Sequence, residues 1–93
     1  MTTLHISHTV LDVREWLRTF ESFSQLRAQG GVTGLTIRHG VDDPDFVAVD
    51  LEFGTTAEAQ AFRERLENEV WPSSPHLTGT PTTHVLEPIG TGA

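Results

Sequence analysis

Residues 46–53, Phe-Val-Ala-Val-Asp-Leu-Glu-Phe, put Val47, Val49, Leu51 and Phe53 on one side and Phe46, Ala48, Asp50 and Glu52 on the other. A period of two with one apolar side is the mark of a strand that buries one face. Slipping it by one residue would turn the whole apolar set outward, so its register is strongly specified. Residues 32–39 alternate in the same way, with Leu35 and Ile37 opposite Gly34, Thr36 and Arg38. Between the two lies Gly40-Val41-Asp42-Asp43-Pro44-Asp45, in which acidic side chains can cap the backbone and proline fixes a φ angle. A hairpin therefore occupies the middle of the chain.

Each arm of this hairpin is flanked by a strand-and-helix pattern. Residues 3–11 alternate, with Leu4, Ile6, His8 and Val10 on one face and His5, Ser7 and Thr9 on the other. Asp12 suits a helix N-cap. Val13, Trp16, Leu17, Phe20, Phe23 and Ser24 then recur at helical spacing, predicting one helix that runs to about Gln29 and stops at Gly30-Gly31. After the hairpin, Thr55-Thr56-Ala57-Glu58 fits a capping box. Ala59, Phe62, Leu66 and Val70 form a second stripe that Pro72 is expected to end. Residues 72–81 read as a long loop, expected either to pack over a pocket mouth or to reach a second subunit. Residues 82–89 read as a last strand, and residues 90–93 as a fraying tail after a single domain spanning 1–89.

The order is βαββαβ, an α+β chain whose expected form is a four-stranded antiparallel sheet with both helices on one face, the ferredoxin-like arrangement. At 93 residues there is room for one core only. Thirteen acidic residues against six basic ones, a net charge of -7, argue against a nucleic-acid backbone as partner. The open sheet face also offers one aromatic, Phe46, where RNA-recognition domains need several. The absence of cysteine excludes disulfides and thiolate chemistry, and the absence of lysine excludes Schiff-base attachment of a cofactor. No apolar run approaches a membrane span and no signal peptide is visible at the N-terminus, so the expectation is a cytoplasmic protein without a membrane partner. His5 and His8 fall on opposite strand faces and no metal-ligand spacing occurs, so neither a metal site nor a cofactor is expected.

His8-Thr9-Val10 followed by Asp12, Trp16 and Phe20 resembles the opening of small proteins of the dimeric α/β-barrel superfamily. Gly31-Val32, Asp43-Pro44, Val47-Ala48-Val49 and Ala59 to Phe62 continue the likeness over about residues 4–87. That superfamily includes antibiotic-biosynthesis monooxygenases that work without cofactor, polyketide cyclases, haem-degrading monooxygenases and stress-responsive barrel proteins. The resemblance implies a homodimer with its two sheets face to face and a small-molecule pocket between each sheet and its helices. The haem degraders use an Asn, a Trp and a His; the sole asparagine here is Asn68, in the second helix, which weakens a haem role.

His8 is the candidate catalytic residue. It is a polar ring among Leu4, Ile6 and Val10, where burial favours a neutral imidazole. The alternative is a structural histidine satisfied by a backbone carbonyl or a water. Trp16, Phe20, Phe23 and Trp71 are the candidate ligand-binding residues. An aromatic stripe at helical spacing is equally the signature of core packing, and Trp71 can plug the sheet end as well as line a pocket mouth. Two functions remain open. One is an apolar or aromatic small-molecule site, with monooxygenase-like or cyclase chemistry; the other is a non-catalytic binding or assembly module. A cavity above about 300 Å³ in the helix–sheet layer would favour the first, and a layer packed solid around His8 the second.

Overall fold

The computed structural model describes residues 1–73, 80–90 and 92. Its strands are β1 (Thr2–Thr9), β2 (Val32–His39), β3 (Phe46–Phe53) and β4 (Thr82–Leu86). They form one antiparallel sheet in the order β2-β3-β1-β4. Helices α1 (Val13–Ser22) and α2 (Ser24–Gln29) connect β1 to β2, and α3 (Thr56–Arg65) follows β3. The sheet order and the two helical connections make the fold ferredoxin-like.

Cross-strand register explains which residues meet the helices. Leu4 pairs with Leu51, Ile6 with Val49 and His8 with Val47, so the apolar parities of the two central strands coincide. Leu4, Val47, Val49, Leu51 and Phe53 are the largest fully buried side chains. Each such burial stabilises the fold by about 1.5–3 kcal/mol. Helix α3 closes this core with Ala59 and Phe62, the Phe62 ring tilted 50° against Phe53 at 5.7 Å between centroids. The helix layer thins over the β2 edge, where Leu35 keeps 42% of its surface exposed.

The helix starts follow their capping residues. Asp12 Oδ1 accepts from the amides of Arg14 and Glu15 at 2.9 and 3.3 Å. Thr55 Oγ1 accepts from the Glu58 amide at 3.2 Å, and its hydroxyl donates to the Glu58 carboxylate at 3.1 Å. The box is thus closed through the side chains, where a second backbone donor was expected. Gly31, at φ 91°, takes the left-handed turn out of α2 that a side chain would strain.

Four expected boundaries differ. The first strand ends at Thr9 where 11 was expected, although Val10 N–H still reaches Asp45 O at 2.8 Å. The single helix expected to Gln29 is broken at Phe23. Phe20 O, which an unbroken helix would give to the Ser24 amide, accepts from Phe23 N–H at 3.2 Å and from Arg27 Nη1 at 2.6 Å. A side chain inserted into the hydrogen-bond ladder is a known cause of such a break. Pro72 does not end the second run: beyond α3 the helix widens into a π-helical turn, Leu66–Val70, and tightens into a 3-10 turn, Trp71–Ser73. Proline fits the start of a turn because its missing N–H is not needed there. The last strand stops at Leu86, short of Pro88, which cannot donate to a ladder. Most of the expected 72–81 loop and part of the expected 90–93 tail lie outside the described residues.

Candidate functional site

Parity puts His8 under the helices. Both its ring nitrogens are buried, and no described residue gives either one a hydrogen bond. A neutral imidazole carries one donor and one acceptor, and leaving buried polar atoms unmatched costs about 1–3 kcal/mol each. Burial also holds the His8 pKa below its usual 6.5, because the charged form is the harder one to desolvate. Burial thus favours the neutral ring, and neither nitrogen has a partner among the described residues.

His8 lies on the wall of a chamber in the helix–sheet layer. Ile6, His8, Val49 and Leu51 form its floor; Trp16, Thr19, Phe20 and Phe23 form one side. Leu26 and Arg27 come from α2, while Phe62, Leu66, Val70 and Trp71 come from α3 and the turns after it. The five residues singled out in the sequence, His8, Trp16, Phe20, Phe23 and Trp71, thus meet around one space. Trp16 is only 7% exposed and stacks on Phe20 at 5.1 Å with 29° between the rings.

About 70 Å³ of this chamber is reachable by the centre of a water-sized sphere, and it is partly open to the surface. That is well below a drug-sized pocket of roughly 300 Å³ and about half of a ~150 Å³ cavity that holds benzene. The layer is also not solid around His8. The space suits the edge of one ring, with the remainder of a ligand in the opening.

Arg27 is the wall residue the sequence reading passed over. Trp16, Phe20, Phe23 and Arg27 keep one helical spacing, so a charged residue in phase with an apolar stripe was the available signal. The residue is 9% exposed as a whole; its guanidinium donates to Phe20 O and lies 4.0 Å from the centre of the Phe20 ring.

The opposite sheet face is polar and paired. Asp50 accepts from His5 Nδ1 at 2.6 Å and from Arg38 Nη2 at 2.7 Å. The His5 and His84 rings are stacked at 6.5 Å, and Glu52 accepts from the Thr3 hydroxyl at 2.8 Å. Phe46 and Leu86, at 40% and 47% exposure, share this face with them. Among the described residues no three His, Asp or Glu side chains gather to hold a metal ion, and no helix is long and apolar enough to cross a membrane.

No family model matches this sequence, and no curated protein matches it. Solved structures do. A Bordetella bronchiseptica protein, provisionally designated an antibiotic biosynthesis monooxygenase, superimposes with a TM-score of 0.76 at 15% identity, over 95% of this chain and 96% of that one. Rv0793 of Mycobacterium tuberculosis superimposes with a TM-score of 0.66 at 13% identity, over the full length of both chains. The resemblance read in the sequence is thus matched in three dimensions: this chain shares its fold with the Bordetella protein and with Rv0793. At these identities the likeness is one of fold.

Proposed function

We propose that this protein binds a small apolar or aromatic molecule between its sheet and helices and transforms it without a cofactor, with His8 as the base. The observation that carries this reading is the pair of unmatched His8 nitrogens on an otherwise apolar wall. A neutral imidazole on an apolar wall can take a proton from a phenol or an activated carbon. Proton removal opens both oxygenation of an activated phenol and ring-closing cyclisation; the provisional designation of the Bordetella structure supports the first. Trp16, Phe20, Phe23 and Trp71 are the ligand-facing rings. Two chains join through the open sheet face, where burial of Phe46 and Leu86 favours association.

The small volume favours a second reading, a non-catalytic binding or assembly module whose pocket is mostly filled by its own aromatic rings. Titration of the 15N-labelled protein with phenol and 1-naphthol tests binding. Amides around His8 and Trp16 are expected to shift, and His8→Ala to weaken the effect; no shift at millimolar ligand would reject both small-molecule readings. Dioxygen uptake with an easily oxidised naphthol separates catalysis from binding. Uptake lost in His8→Ala supports the enzyme, and uptake equal to buffer selects the module. Light scattering should give a mass near twice 10.3 kDa; a single-chain mass at micromolar concentration would reject the dimer.

A further inference from the structure

We infer that the ligand is an aromatic carboxylate, its acid group held by the Arg27 guanidinium and its ring set against the Trp16–Phe20 pair. This deepens the small-molecule reading above and rests on it.

Arg27 carries the inference because a side chain of its kind is seldom so buried without a counter-charge. It is 9% exposed and lines the same chamber as His8. The ion pairs among the described residues use His5, Arg18, Arg38, Arg63 and Arg65, and none uses Arg27. Acidic side chains are plentiful in this chain, thirteen against six basic residues, yet among the described residues none forms an ion pair with the most buried cation. Glu21 acts on it only from further away, raising a pKa that burial lowers, and an arginine stays charged at neutral pH regardless.

The guanidinium is also held in a fixed plane. One nitrogen donates to Phe20 O at 2.6 Å, and the group lies over the Phe20 ring at 4.0 Å. A guanidinium has five N–H donors in a planar fork, so one bond to a carbonyl leaves most of the fork free for a carboxylate, whose two oxygens match it. Phe20 thus touches both the cation and, through its stack with Trp16, the aromatic wall. An acid group at Arg27 would bring its own ring to that wall. The limited volume takes the edge of one ring and leaves the remainder of a ligand in the opening.

Benzoate and benzamide separate these features, since they share size and shape and differ in charge. Isothermal titration of the full chain at neutral pH should show benzoate binding at least about tenfold tighter than benzamide, the usual range for a charge-assisted bond. The Arg27 side-chain N–H resonances should shift with benzoate and stay in place with benzamide. Arg27→Gln should bring the two affinities together, and Arg27→Lys should restore part of the difference. The Phe20 carbonyl loses a donor in the first variant, so its folding is checked by the dispersion of its amide spectrum. If it does not fold, the wild-type ligand pair and the Arg27 resonances decide alone. Equal affinities for the two ligands would overturn the acid assignment and leave the small-molecule reading standing. A benzoate preference that survives in folded Arg27→Gln would overturn the role of Arg27. No binding of either compound at millimolar concentration would overturn the inference together with the reading beneath it.

Discussion

His5 and His8 stand three residues apart on β1 and meet opposite fates. His5, on the open face, gives its Nδ1 to Asp50 at 2.6 Å, and Asp50 is anchored in turn by Arg38. His8, on the covered face, has two buried nitrogens and no described partner for either. Strand parity alone decides which histidine faces the helices. The polar face solves its hydrogen bonding within the chain, while the apolar face leaves one polar ring to be matched from outside. That difference separates a structural pairing from a candidate site, although both begin with the same side chain.

The largest expected effect tests how much stability each face supplies. Phe53→Ala, at a fully buried covered-face position, should cost about 3–5 kcal/mol in urea unfolding. Phe46→Ala, opposite Thr9 on the open face, should cost under about 1 kcal/mol at concentrations where the chain is monomeric. Similar losses at both positions would erase the distinction between the faces.

His8→Phe comes next. Replacing an unmatched ring by an apolar one should raise stability by about 1–3 kcal/mol, the cost of at least one of the two unmatched nitrogens it removes. Loss of stability would mean that His8 is already satisfied in solution. Asp50→Ala should cost no more than about 1 kcal/mol, because its partners are partly exposed and water replaces them readily. High salt should shrink even that cost.

The smallest effect is a pH dependence. The folded-state pKa of His8 is lowered, so the unfolded chain binds a proton there more readily. Its contribution is intact above the unfolded value of 6.5 and is lost as pH falls from there towards the lower folded value. The difference in unfolding free energy between His8→Phe and wild type should therefore grow below pH 6.5. A constant difference from pH 7.5 to 5 would refute the lowered pKa.

The hairpin strands were legible to the residue, because alternation and turn chemistry are local properties of 32–39, 40–45 and 46–53. So was the side of the sheet on which His8 lies. The break at Phe23 was not, since it depends on the Arg27 side chain reaching back seven residues to the Phe20 carbonyl. Arg27 itself stood in phase with the aromatic stripe and was readable as a charged interruption of it. The chamber volume was beyond reach, because it is a small difference between large packed volumes.

The π-helical turn after α3 bears on how such a chamber changes over evolutionary time. Trp71 N–H bonds Leu66 O five residues back, one residue more than an α-helix spans. Wound as a plain α-helix over the same residues, the chain would carry Trp71 roughly 100° further around the axis, off the wall it now helps to form. Val70, on the same wall, would turn with it, while Leu66 would stay in place. Loss of one residue within 67–69, by contrast, lets the turn close to an α-helix with Trp71 N–H still on Leu66 O, now four residues back. One wall of the chamber is thus set by how the chain is wound as well as by side-chain identity, and the wide turn absorbs a one-residue change in length before it reaches the space that faces His8.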